Sequence, residues 1–500
     1  MKKHLLFALI LLFFPAAQAH AQASTWFDSP AFKPYVDYAI QAGRLQMPFV
    51  LTQPYTTLEV QRAAVNSIHR GMPAWQQHWL RLLVQEISTY HKSSAKNESI
   101  GYGYLGSRLA YRGLAAENHQ WTEYRAELEG RFTTSWAALA HRTSIDQHFK
   151  RDPDYFGDTG EWIYGRVETG YLALRYKGAG FFVGRLDRNW GLPAETSLIL
   201  SDHPYSYDAA GVQLESRRFR FSFYASRLND MLGIDTQADS TRRLYRRFWS
   251  IKRFDVALLP NLQLGFSEAT VYGAVDGTWE MSYLNPLGLV YIEQRNNRVQ
   301  MNGLWCADLF WKPAPQLTLF AQYLIDDIIV NNEPGQDDRA EHPDRMGITA
   351  KLVISDLPAP GAQFGIGYTR IGNWTYLSYR TYENYLSNGM GMGYAANSIE
   401  RVGVDFTWLG WKALVLQVQA AYTRQGSQDM TQPFGDTREP FPRAPVSHWT
   451  HAEASLAYVP SIQWNVRLYG VYNHLDSPLV EDEWQAGIVL NAKLGWLVKM

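Results

Sequence analysis

The chain has 500 residues, with 47 Lys and Arg against 48 Asp and Glu; a formal net charge of −1 excludes a nucleic acid held by bulk charge. The single cysteine, Cys306, excludes an intrachain disulfide and any multi-cysteine metal cluster. Aromatic residues reach 14%, with 18 Trp and 30 Tyr, side chains suited to the boundary between an apolar phase and water.

Residues 1–23 read as a secretory signal peptide. Lys2 and Lys3 give a basic start and residues 5–14 an apolar run. Ala17-Gln18-Ala19, Ala19-His20-Ala21 and Ala21-Gln22-Ala23 all fit the cleavage pattern. The run is shorter than the ~20 residues a spanning helix needs. No later segment offers a continuous apolar span, so transmembrane helices are not expected. Residues 24–99 read as a small helical bundle with a linker. Ser29 caps a first helix with Pro30 at its first position and Gly43 as terminator. Thr56 and Glu59 form a capping box for a second helix ending near Gly71. A third follows Pro73, with Trp75, Trp79, Leu82, Leu83 and Ile87 on one face. Each helix is short and must bury that face on something, either within a three-helix cap or on the end of a larger body. Residues 91–99 are polar and read as the linker.

From residue 100 onward the period is two. Leu414, Leu416, Val418, Ala420 and Tyr422 share one strand face; Gln417, Gln419 and Thr423 share the other. Glu123, Arg125, Glu127 and Glu129 also share a face, which must lie in water or in a paired network. About eighteen such strands, of about ten to fourteen residues, meet the demands of a closed membrane barrel. They lie near 101–112, 120–132, 134–144, 161–176, 180–188, 209–217, 220–228, 243–256 and 261–272, then 303–312, 316–327, 344–355, 361–373, 396–410, 412–424, 446–459, 463–474 and 484–498. Connections after odd-numbered strands are long (145–160, 189–208, 229–242, 273–302, 328–343, 374–395, 425–445), and those after even-numbered strands are short. Short turns at one end and long loops at the other are expected of an outer-membrane barrel. The fold class is therefore mainly β: a transmembrane antiparallel barrel over 100–500, with the helical bundle periplasmic and the long loops extracellular.

Several catalytic motifs fail on context. Gly101-Tyr102-Gly103-Tyr104-Leu105-Gly106 lies within a strand with no helix after it to receive a pyrophosphate. His448 and His451, three apart on a strand, point to opposite faces and share no metal. Asp152, Asp154 and Asp158 read as a solvated loop face. No Ser/His spacing supports an outer-membrane hydrolase. No cofactor, metal or catalysis is expected. Two loops remain. The first carries Arg185, Asp187, Arg188, Asn189 and Trp190, then Asp202, Tyr205 and Tyr207. The second carries Trp279, Tyr283, Asn285, Glu293, Asn296 and Asn297. Planar aromatics stack on sugar faces, and Arg, Asp and Asn pair with hydroxyls, so these are candidate glycan-binding residues. The same residues also pin folded loops together. Trp374 and Tyr376, with Tyr379, Tyr382 and Tyr385, place a further candidate in the loop after 373.

The sequence resembles the capsule assembly Wzi family of Gram-negative outer membranes. The likeness rests on Gly184-Arg185, Arg188-Asn189-Trp190-Gly191, Ser197-Leu198-Ile199-Leu200-Ser201, Leu264-Gly265-Phe266-Ser267-Glu268, Tyr272-Gly273, Tyr283-Leu284-Asn285-Pro286 and Asn296-Asn297. It continues through Asp308, Trp311-Lys312-Pro313, Gln322 and Ile325-Asp326-Asp327. The C-terminal Lys493-Leu494-Gly495-Trp496-Leu497-Val498-Lys499-Met500 resembles the terminal signal of bacterial barrels, but ends on Met. The resemblance implies an eighteen-stranded barrel with a periplasmic bundle, and lectin-like attachment of exported capsular or related extracellular polysaccharide. Outer-membrane lipid and export machinery are the other expected partners. The competing reading is a diffusion channel, with Glu123, Arg125, Glu127 and Arg467 lining an aqueous lumen.

Overall fold

The structure is a computed structural model that describes residues 24–90, 100–114, 119–160, 164–297, 300–327, 345–435, 439–476 and 482–499. The signal peptide read at 1–23, the linker at 91–99 and the loop at 328–343 lie outside the described residues. No helix among the described residues is long and apolar enough to cross a membrane.

Three helices open the described chain: α1 Lys33–Gln41, α2 Thr57–Ser67 and α3 Ala74–Tyr90. The Thr56/Glu59 capping box starts α2, satisfying two otherwise orphaned donors. The helix ends at Ser67, short of Gly71. The first helix begins three residues later than Pro30 suggests. Residues 30–32 form a turn on the Ser29 carbonyl, and Pro34 occupies the first helical turn instead. Gly43, at φ 72°, takes the left-handed conformation after α1 that a side chain would strain. Trp75, Trp79, Leu82, Leu83 and Ile87 of α3 are all buried, and Trp79 stacks on Tyr35 at 5.9 Å.

Eighteen antiparallel strands then close one barrel. The first nine are β1 Ile100–Leu114, β2 His119–Thr133, β3 Ala137–Asp146, β4 Gly165–Tyr176, β5 Ala179–Arg185, β6 Asp208–Glu215, β7 Phe219–Arg227, β8 Asp239–Leu259 and β9 Leu262–Ala274. The rest are β10 Asn302–Ala314, β11 Leu317–Asp327, β12 Arg345–Ser355, β13 Ala362–Ile371, β14 Ile399–Trp408, β15 Leu414–Gly426, β16 Val446–Tyr458, β17 Trp464–Leu475 and β18 Glu483–Lys499. β1 closes the ring on β18, pairing residue 100 with 499 and 114 with 485. Closure leaves no edge, which a lipid phase demands because it offers backbone groups no partner. Leu105, Leu128, Leu456 and Leu468 stand exposed on the outer wall, the apolar face that strand alternation gives the barrel. Short turns and long loops alternate from β2 to β17. Two features exceed the sequence reading. β8 rises above the barrel to pair with a short strand, Met231–Asp235, and the 275–301 connection contains a helix, α4 Val290–Asn297.

The bundle packs into the short-turn end. Leu51, Val60 and Leu83 share a core with Phe310, Phe320, Val353 and Val459, residues at the turn ends of their strands. Polar ties fix it there. Asp356 accepts from Arg44 at 2.7 Å and Tyr38 at 2.6 Å, Lys312 donates to the Gln41 carbonyl at 2.6 Å, and Arg220 pairs with Glu59. Thr52 bonds to Asp255 at 2.6 Å, joining a network in which Arg253 holds Asp308 through two bonds of 2.8 and 2.7 Å. Breaking a buried pair such as Arg220–Glu59 costs ~3–5 kcal/mol, so the bundle is anchored, not merely adjacent.

Candidate ligand-binding surface

Two long connections fold inward and fill much of the lumen. The first, residues 186–207, descends to the bundle. Asn189 and Gln53 exchange backbone hydrogen bonds of 3.0 and 3.2 Å. The Asn189 side chain accepts from Ser197 N at 3.0 Å and donates to the Glu195 carbonyl, closing the loop on itself. Gln322 on β11 donates to the Trp190 carbonyl at 2.8 Å and accepts from Leu198 N at 2.7 Å. Trp190 is 1% exposed, and Arg188 is sandwiched over Phe182 and Tyr224 at 4.5 and 4.3 Å. The second connection, residues 372–398, lies over the first as a lid. Tyr376 N donates to Asp326 at 2.6 Å, and its hydroxyl reaches the Leu198 carbonyl at 2.6 Å. Tyr385 donates to the Ile199 carbonyl at 2.8 Å, and Trp374 packs on Phe434. Arg188, Asn189, Trp190, Trp374, Tyr376, Tyr382 and Tyr385 are thus buried by the protein's own loops, while Tyr379 is half-buried.

The connection after β9 goes the other way. Strand alternation puts Arg253 and Ser267 inside the barrel and therefore Lys252 and Glu268 on its outer wall. These two pair at 2.8 Å, and residues 275–297 fold down over them as a flap. Glu268 accepts from Val290 N at 3.1 Å and Trp305 Nε1 at 2.8 Å. Tyr283 is buried on Tyr272 at 5.0 Å, and Trp279, 42% exposed, leans on Phe248. Asn285 and Asn296 are exposed and Glu293 is half-buried; Asn297 ends α4, which lies on the barrel flank. The second candidate loop therefore sits apart from the first, on the outer side of the wall.

At the mouth, Arg185 forms a two-point pair with Asp208, at 3.1 and 2.6 Å. Tyr207 is half-buried against Trp249. Asp187 and Asp202 face a 200 Å³ lumen cavity that also takes in Asp28 and Asp37. Enclosure there, with Asp28 alongside, pushes the Asp187 carboxyl up to about 7, against the pull of Arg142. Tyr205 joins a group the sequence reading did not assemble. Phe149 and Tyr155 stack at 4.7 Å and 7°, Tyr205 stands edge-on to both, and Phe156 is 60% exposed beside it. Arg166 lies 3.9 Å over the Tyr205 ring, and the Tyr205 hydroxyl donates to Asp152. Arg151 covers Trp121 at 4.9 Å. Residues 147–160 and the 186–207 loop build this rim cluster together. The signal was the Tyr155-Phe156 pair close to Asp152, the same aromatic-and-acid mixture used to single out the other loops.

Residues 89–300 match the family model of the capsule assembly protein Wzi. Over these residues the chain is similar to the Wzi family. Wzi of Escherichia coli, an outer-membrane protein involved in group 1 capsule assembly and a carbohydrate-binding β-barrel, has a similar structure. The TM-score is 0.62 at 12% identity, covering 94% of this chain and 99% of Wzi. OpdQ and OpdK of Pseudomonas aeruginosa, the latter an outer membrane protein, superpose less well. Both give a TM-score of 0.47, at 12% and 13% identity, with 80% and 79% of this chain and 99% of theirs covered. No curated protein matches the chain in sequence. The Wzi match spans the inward loop, the rim cluster and the flap.

Proposed function

We propose that this protein is an outer-membrane, lectin-like barrel that binds exported capsular polysaccharide and helps assemble or attach the capsule at the cell surface. The long loops face outward and the bundle with its linker, residues 24–99, is periplasmic after loss of 1–23. Lipid contacts the outer wall, and export machinery delivers the polymer. The role is binding, not catalysis. One observation carries the reading: the Wzi family match covers both loops that build the rim cluster.

The chemistry at the rim suits the task. Phe156 offers an exposed flat face and Tyr155, backed by the buried Phe149, a half-buried one, with Arg166 and Asp152 beside them for hydroxyls. A stacked ring is worth about 1 kcal/mol, and a repetitive polymer multiplies weak contacts by avidity. Polymer pull-down with the purified protein tests this. Phe156→Ala with Tyr155→Ala should weaken retention about tenfold, while the barrel still migrates as a folded species before heating. Unchanged retention by the double variant would remove the rim from the binding surface.

A further inference from the structure

The lumen is filled more heavily on one side than on the other. On the inner face of β8 and β10, Arg253 and Asp308 form an ion pair whose side chains are each 0% exposed. Across the ring, the inner-face pair Arg467–Glu453 on β17 and β16 is 43% and 21% exposed. The bundle, inward loop and lid bury their apolar residues mainly against the strands from β4 to β13. Beyond them, Gln417 and Arg467 are half-buried and Gln419 is exposed, so the inner wall of β15 to β17 keeps polar side chains in open space.

Three cavities lie along that wall and share lining residues. A 360 Å³ cavity begins beside Gln463, in the short turn between β16 and β17, and rises to Gln417 and Arg467. The same two residues line a 220 Å³ cavity above it. Glu195, Asp405 and Gln419 line that cavity and a third, of 360 Å³, which reaches Arg401 near the long-loop end of β14. The upper two cavities have mostly polar walls, and the lower one carries Arg125, Glu127 and Arg467 among apolar neighbours; spaces of this size with such polar partners hold water. Into the second cavity Lys351 reaches from β12 to Glu195, at the turn of the inward loop, and to Asp405 at 2.5 Å.

We propose that this wet side is an ion-conducting passage through the barrel, an activity separate from polysaccharide binding. Its lining carries both signs in nearly equal measure, so small cations and anions both pass. The lysine clasp on Glu195 and Asp405 sets its width.

Full-length protein in planar bilayers under potassium chloride tests this. A steady current is expected, smaller than that of an open barrel of equal strand number. Glu195→Gln, which loosens the clasp, should raise it about twofold or more. Gln419→Cys should react with a bulky cationic thiol reagent added from either side, with the current falling by about half or more. Gln417→Cys is the second position for the same labelling. The native Cys306, 1% exposed on the packed side, is the internal control and should not react. Silent bilayers from wild type and Glu195→Gln, with both proteins folded by heat-modifiable migration, overturn the proposal. So does a current that survives complete labelling at both glutamine positions. Neither result bears on polymer retention, which is read in a separate assay.

Discussion

Arg247 is the latch of the lid. It sits on β8 with 0% exposure and donates to three lid carbonyls: Tyr382 at 2.6 Å, Asn384 at 2.8 Å and Leu386 at 3.0 Å. Arg247→Met keeps the apolar stem and removes all three bonds. Hydrogen bonds to a charged group contribute ~1.5–3 kcal/mol each, so the gross loss is about 4.5–9 kcal/mol. Burying a guanidinium against dipoles carries a desolvation penalty of several kcal/mol, which the variant no longer bears. The net effect on lid closure is therefore ~2–4 kcal/mol, a rise of about 30- to 700-fold in the opening constant.

Hydrogen exchange reads this directly. The Tyr385 amide donates to Tyr376 O at 2.9 Å and the Met392 amide to Tyr385 O at 3.2 Å, both within the lid. Their exchange should accelerate by that factor while the β9–β10 ladder keeps its protection. A change below about threefold at both amides would show that Arg247 does not hold the lid. Equal acceleration in the ladder would show that the arginine supports the whole barrel and has no local role.

Two further perturbations separate the lid from the flap. Burial pushes the Glu383 carboxyl in the lid up to about 7, with Arg380 and the Ser378 hydroxyl pulling down and Asp235 pushing up. Its Oε1 has no hydrogen-bond partner, as suits a protonated acid. A carboxyl raised on folding contributes fully below its unfolded value of ~4.5, and that contribution is lost as pH rises through about 7. Lid amides should therefore be better protected at pH 6 than at pH 8 after correction for chemical exchange, and Glu383→Gln should abolish the difference; an unchanged pH profile in the variant refutes the assignment. On the outer wall, Glu268→Leu leaves Lys252 without its carboxylate and removes the acceptor for Val290 N and Trp305 Nε1. Losing one partner of a buried pair costs ~3–5 kcal/mol. Limited proteolysis should then cut within 275–297 while the barrel stays intact, and a flap as resistant as wild type would mean the apolar contacts alone hold it.

The strands were legible because their signal is local. Leu414 to Tyr422 carries its own alternation, and each strand reads without knowledge of its partner. What fills the barrel was not legible, because its determinants are far apart in sequence. Gln322 reads as an inward polar residue; only the fold shows that it holds Trp190 and Leu198. Asn189 and Trp190 carry the chemistry of a sugar site and the chemistry of a pinned loop equally well. Which one applies is decided by Gln53 and Gln322, and composition does not bring these residues together. The flap misled for a related reason. Lys252 and Glu268 sit among apolar outward positions, and nothing local says that residues 275–297 return to cover them.

Ring size explains why binding chemistry, filling and wet space divide as they do. A barrel of this circumference is too wide for its own side chains to fill, so segments must enter from both ends or the lumen stays open. The bundle enters from the turns and the inward loop from the mouth, and they meet at the Gln53–Asn189 bridge. Both need firm anchors, and the anchors are the buried groups of one side: Arg253 with Asp308, Gln322 and Arg247. Concentrating anchors there commits the aromatic and amide groups of the inward loop to packing. It leaves the rim loops as the surface where rings stay exposed and the opposite wall as the space that stays wet. The two activities proposed for this barrel thus follow from one cause, a plug built against half of its circumference.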